Sequence, residues 1–273
     1  MSIEAEIIDF TNWLQTPPGS YLMAWEQAQF DQAVSDIFGY HALQLGFTEL
    51  DALRCNRMPH QWRAASTPVT DIDSMTLHDP SSSRMCAALV TDSGALPFSA
   101  ASLDLVVLPH TLELGDDAHE TLREVERVLV PEGRIVISGF NPASLWGMRQ
   151  RRAHFYARFG REHLFLPDAG DFIGYWRLRD WLRLLSFEVE SARFGCYRPA
   201  LTTENWLSRF EWMDNLGQRW WPIFGAVYFL VAVKRVRGTR LLEPARKARV
   251  PVLAVPASVA NKNPNSNLLN DLP

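Results

Sequence analysis

The run Leu103-Asp104-Leu105-Val106-Val107-Leu108 is apolar at all but one position. A strand with one wet face alternates polar and apolar residues, so this run predicts a strand covered on both faces. Helical patterning follows it. Over residues 116–129, Leu122, Val125, Val128 and Leu129 share one helical face. Pro131-Glu132-Gly133 predicts a turn, and residues 134–138 predict a second buried strand. A doubly covered strand needs helices above and below it. The chain is therefore expected to fold as an α/β domain with a mainly parallel sheet.

The remaining pattern extends that reading. Ile7, Ile8, Phe10, Trp13 and Leu14 predict a short helix ended by Thr16-Pro17-Pro18-Gly19, and residues 21–38 a second helix closed by Gly39. Strands are expected at 42–45, 61–65 and 85–90, with a short helix at 50–58 and a polar loop at 66–83. Downstream come a helix at 178–185, a strand at 187–192, an aromatic stretch at 206–221 and a last strand at 224–233. From residue 238 periodicity gives way to proline, asparagine and scattered bases, so 238–273 is read as a disordered tail. Three segments are expected: N-terminal helices (1–39), the main domain (40–237) with an inserted lid region (143–222), and the tail.

Charge is unevenly placed. Residues 1–145 hold 20 acids and 7 bases, a balance of −13, and residues 146–273 hold 11 acids and 20 bases, a balance of +9. Arg149, Arg151, Arg152, Arg158 and Arg161 alternate with Trp146, Phe155, Tyr156 and Phe159. Such a segment is ordinarily a solvated face; beside a site it also suits an anionic partner. Cys55, Cys86 and Cys196 have no metal spacing, and buried, reduced thiols in a cytoplasmic protein are expected. The first residues carry Glu4, Glu6 and Asp9 rather than a basic leader, so no secretory signal is expected. The longest apolar run, 223–233, is short of the roughly 20 residues a membrane helix needs, so no transmembrane segment is expected.

Ligands of open α/β sheets bind beyond the carboxyl ends of the strands, where Gly46, Asp92, Pro109 and Gly139 fall. The blocks TDSGALPFSAASLDLVVLPHTLE (residues 91–113) and LREVERVLVPEGRIVISGFNP (residues 122–142) resemble class I S-adenosylmethionine-dependent methyltransferases of the methyltransferase-11 type. The resemblance spans about residues 20–235. It implies a Rossmann-like sheet of seven strands, mainly parallel with an antiparallel last strand, with helices on both faces. It also implies S-adenosylmethionine as cofactor and in-line methyl transfer to an acceptor. Position by position, Asp92 beside Ser93 would meet the adenine. Leu108, Pro109 and His110 would lie beneath the cofactor. Gly46 would let the chain approach its amino-acid end without a Cβ, next to Gln44.

The first motif is degenerate. Gln44 stands where the family has an acid, Thr48 and Leu50 stand where it has glycines, and Ala64-Ala65-Ser66 offers no carboxylate for the ribose. A non-catalytic descendant with a basic, aromatic binding surface is the alternative. A nicotinamide enzyme is disfavoured because no G-x-G-x-x-G follows a strand. His110 and Glu113 at helical spacing lack a third ligand, so no metal is expected. His110 is read as a general base or as a hydrogen-bonded pocket wall. Asn141-Pro142 is read as the cap and first residue of the next helix.

Overall fold

The computed structural model describes residues 10, 12–65, 89–157, 165–166, 172–201 and 203–236. The expected helix over 7–14 is described only at its end, where residues 10 and 12–14 are helical. The polar loop, most of the strand at 85–90, Cys86, Arg158, Arg161 and the tail lie outside the described residues. The described residues between 10 and 236 belong to one compact unit.

In chain order the elements are α1 (Pro17–Ser35), β1 (His41–Leu45), β2 (His60–Ala65), β3 (Leu89–Val90), β4 (Leu103–Pro109), α2 (Thr111–Leu114), α3 (Ala118–Val128), β5 (Leu129–Phe140), α4 (Leu145–Ala157), α5 (Tyr175–Leu184), β6 (Phe187–Gly195), α6 (Glu204–Arg209), α7 (Trp212–Trp220), a 3-10 turn (Pro222–Phe224) and β7 (Val227–Lys234). The strands form one seven-stranded sheet in the order β3-β2-β1-β4-β5-β7-β6. All pairings are parallel except those of β7, which runs antiparallel to both β5 and β6. This is the expected Rossmann-like architecture with an antiparallel last strand.

Burial on both faces follows from strand alternation. On one face Ala42, Leu105, Val107, Val136, Phe229 and Val231 pack beneath α1 through Leu22, Phe30 and Val34. On the other, Leu43, Val106, Ile135, Ile137 and Leu230 pack against α3 and α5. Helix α3 begins where the Asp117 side chain accepts from the N–H groups of His119 at 2.7 Å and Glu120 at 3.2 Å, satisfying first-turn donors that have no helical partner. Among the described residues no helix is long and apolar enough to cross a membrane.

Three local expectations are corrected. The helical turn at 12–14 does stop before Thr16, but Thr16-Pro17-Pro18-Gly19 also begins α1, four residues ahead of the expected start at 21; Thr16 is its cap and the prolines occupy the first turn, where a missing N–H costs nothing. No helix forms over 50–58, which is a series of turns. Side-chain amides capture its backbone: Gln44 Nε2 donates to the carbonyls of Phe47 at 2.9 Å and Leu50 at 2.6 Å, and Gln44 Oε1 accepts from Ala52 N–H at 3.0 Å. Asn56 Oδ1 likewise accepts from Met58 N–H at 2.9 Å, while its Nδ2 ties the segment to the carbonyls of Val34 and Ile37 around the end of α1. Third, Cys55 is exposed, whereas Cys196 is buried.

Asp104, the one acid in the central strand, anchors the start of β1. Its Oδ2 accepts from Tyr40 N–H at 2.8 Å and His41 N–H at 2.9 Å. Asp104→Ala should lower stability by about 1.5 kcal/mol, the value of one charge-assisted hydrogen bond, because one of the two contacts is exposed. Urea unfolding measures this, and a loss below about 0.5 kcal/mol, the range of an ordinary surface substitution, would contradict the anchoring role.

Candidate functional site at the strand tips

The carboxyl ends of β1, β3, β4 and β5 lie along one edge of the sheet, and most of the expected site residues sit there. Gly46 follows β1 with φ +72°, a left-handed backbone that favours glycine, and a Cβ there would meet Thr111 Oγ1 at 3.0 Å. Phe47 and His110 are also left-handed, at φ +34° and +52°. A non-glycine residue in that region costs about 1–3 kcal/mol and persists only where its surroundings fix it.

At His110 the surroundings are unusually rigid. Its ring is fully buried between two carboxylates: Nδ1 lies 2.9 Å from Glu113 Oε2, and Nε2 lies 2.9 Å from Glu26 Oε1 of α1. The Glu26 contact has ion-pair distance but not hydrogen-bond angles, so among the described residues both Glu26 oxygens are without a hydrogen-bond donor. Glu113 is better served, since its Oε1 accepts from Phe140 N–H at 2.6 Å. Among the described residues the buried Tyr228 hydroxyl has no hydrogen-bond partner. It reaches the backbone of Gly139, where an added Cβ would come within 2.5 Å of it.

These groups shift one another's acidity. Burial alone would lower the pKa of His110, but the carboxylates of Glu26 and Glu113 outweigh it and raise the value to about 10. Burial also pushes Glu113 up, against the pull of His110. An imidazole whose protonated form is favoured suits a charged wall better than a general base.

Aromatic rings close the space over His110. Phe10, from the helical turn before α1, lies 5.1 Å from Phe47, 5.3 Å from His110 and 6.0 Å from Phe140, ring centre to ring centre. Gln44 is fully buried, with its amide committed to the 47–52 turn. Leu108 and Pro109 are buried within β4. Asp92, just past β3, is exposed, and its Oδ1 accepts from Gly94 N–H at 2.9 Å. Ser93 Oγ accepts from Thr121 Oγ1 at 3.0 Å. Gly46, Gln44 and His110 are thus joined in one packed cluster, while Asp92 and Ser93 stand at the tip of β3, two strands from β1 in the sheet.

Two features were not foreseen. Glu26 lies on the buried stripe Leu22, Glu26, Phe30, Val34 of α1; an acid in an otherwise apolar i, i+4 series was the signal available in the sequence. Asn141 is not the cap of α4, which starts at Leu145 with the Ser144 hydroxyl accepting from Gly147 N–H at 3.0 Å. Asn141 instead donates through Nδ2 to the carbonyls of Ile223 at 2.6 Å and Gly225 at 2.9 Å. Of the basic segment, Arg149 donates to the Ala200 carbonyl and Arg151 to the Pro142 carbonyl, and Arg152 is exposed.

The His110 shift predicts a pH-dependent stability. A group whose folded pKa is raised contributes fully below its ordinary value of 6.5, and that contribution fades as pH climbs toward about 10. Unfolding free energy should therefore fall across this window. Glu26→Gln, which removes one facing charge, should lower the folded pKa of His110, so that the fall ends at a lower pH and is smaller in total. Urea unfolding at a series of pH values measures both, and a flat profile in the parent protein would refute the buried charge.

Comparison with known proteins agrees with this architecture. The family described as Methyltransferase domain matches residues 61–137. The uncharacterized protein YafS of Escherichia coli (strain K12) is 31% identical over 192 residues, covering 67% of each chain. Among solved structures, a chain from the complex of the Haloferax volcanii Trm112 methyltransferase activator superposes with TM-score 0.54 at 17% identity, covering 84% of this chain and 97% of that one. An S-adenosylmethionine-dependent methyltransferase from Archaeoglobus fulgidus gives 0.52 at 17%, covering 78% and 94%. The [4+2]-cyclase SpnF gives 0.50 at 16%, covering 77% and 80%. The chain thus belongs to one family with YafS, and its segment 61–137 matches the Methyltransferase domain within a sheet of the class I methyltransferase type.

Proposed function

We infer that the protein is an S-adenosylmethionine-dependent methyltransferase, with the cofactor held along the tips of β1, β3 and β4. The observation that carries this reading is the placement of a left-handed Gly46 and an exposed Asp92 carboxylate beyond strands of one parallel sheet. S-adenosylmethionine supplies an electrophilic methyl group on a sulfonium. The residues present fit its adenosyl half: Asp92 can accept from an adenine amino group, with Ser93 beside it. They do not, as arranged, fit its amino-acid half. Gln44 has committed its amide, and Phe10, Phe47 and Phe140 fill the space over His110. On this reading residues 10–14 cover the amino-acid end and must shift to admit it. Residues 143–222 form the lid that selects the acceptor.

A second reading, a non-catalytic module that keeps the sheet, is favoured by the same filled space and by the ribose carboxylate missing at the end of β2. A cyclase on a similar fold illustrates that the sheet does not dictate the chemistry.

Calorimetric titration with S-adenosylmethionine and its demethylated product separates the two. The first reading expects a dissociation constant below roughly 100 µM, about −5.5 kcal/mol. Asp92→Ala should weaken it about tenfold or more, as befits loss of a charged hydrogen-bond partner. Absence of heat at millimolar ligand would leave the non-catalytic reading.

A further inference from the structure

Away from the packed cluster, the start of α4 and the turn before β7 come together on the surface. Asn141 ties them through its two bonds to the carbonyls of Ile223 and Gly225. Beneath that tie, β5 ends where β7 begins, with Phe140 opposite Val227. The two segments carry Leu145, Met148, Trp220, Trp221, Ile223 and Phe224, each between 45% and 66% exposed. Leu145, Met148 and Arg152 recur at three- and four-residue spacing, which sets them on one face of α4. Single exposed apolar residues are ordinary. Six on two segments held together by one side chain form a patch, and a patch of this kind marks an interaction surface.

Charge decides what the patch faces. Residues 141–153 and 215–226 contain four arginines, Arg149, Arg151, Arg152 and Arg219, and no acid. Arg149 and Arg151 rest on backbone carbonyls, which leave their charge intact. None of the four forms an ion pair with a carboxylate among the described residues. Indole rings, short apolar side chains and unneutralised arginines are the groups that settle at a bilayer's headgroup level, with rings at the acyl boundary and guanidinium groups on phosphates. A protein partner would also cover the apolar side chains, but the one-signed rim specifically complements an anionic sheet of charge.

We propose that the surface formed by the start of α4, the end of α7 and the 222–224 turn docks on an anionic lipid bilayer. The interaction is peripheral, with Trp220, Trp221 and Phe224 entering the interface and Arg151, Arg152 and Arg219 meeting lipid phosphates. It does not depend on whether the strand tips bind a cofactor.

The test uses the full chain and flotation with phosphatidylcholine vesicles, with and without phosphatidylglycerol. The expected result is association with the anionic vesicles, weakening with added salt, and a blue shift of tryptophan emission on binding. Trp220→Ser combined with Phe224→Ser should weaken association about tenfold or more with an unchanged thermal midpoint, since both positions are exposed. Arg151→Gln with Arg152→Gln should weaken it roughly ten- to thirtyfold and flatten the salt dependence. No association at low salt would overturn the proposal, as would unchanged binding by both double variants. Finding that the parent chain is a dimer that Trp220→Ser/Phe224→Ser dissociates, with no vesicle binding, would overturn it in favour of a second copy on this surface.

Discussion

His110 wedged between Glu26 and Glu113 is the interaction on which the rest of the site depends. Three ionisable groups removed from water are costly unless they face one another, and removing one leaves the others uncompensated. They come from α1, from the left-handed turn after β4, and from α2, so the triad fixes the N-terminal helix against the strand tips. Because the two acids raise the pKa of His110, the cluster favours a charged imidazole facing Glu26, which draws α1 inward. Phe10 and Phe47 are held over the imidazole partly as a result. The wall of the candidate pocket and the core of the molecule are here the same set of atoms.

The parts of the fold that were legible in the sequence are those specified by local pattern. Apolar runs at β4 and β5 announced strands covered on both faces, and Leu122, Val125 and Val128 announced α3. Pairing order was legible only through resemblance, since no local feature of β1 says that it lies between β2 and β4. The failures share a cause. The 50–58 segment has helical composition, yet Gln44 takes the Leu50 carbonyl and the Ala52 N–H, and Asn56 Oδ1 takes the Met58 N–H, groups that a helix would have used internally. Asn141 looked like a cap because its partners, Ile223 and Gly225, are some eighty residues away. At the candidate site, Gly46 and Asp92 could be placed at strand ends from spacing. The filling of the space over His110 could not, because Phe10 and Glu26 reach it from across the chain.

The degenerate first motif has a physical counterpart in the structure. Where the family resemblance leads one to expect an acid facing a ligand, Gln44 faces inward and organises the crossover from β1 to β2. An amide suits that work, because it donates to two carbonyls and accepts from one N–H, which a carboxylate cannot do. The substitution is therefore coupled to the helix-free crossover: the side chain that would have met a cofactor stabilises the loop that replaces a helix.

Strand order carries a further consequence. β1 ends at Leu45, outside the segment 61–137 that matches the family, yet it hydrogen-bonds to β2 on one side and β4 on the other. A fragment cut at the limits of that match would hold β2 and β3 as one ribbon and β4 with β5 as another, with no backbone ladder joining them. The stretch matched by the family is thus two halves of a sheet whose keystone is contributed from upstream, and the cooperative unit is larger than that match.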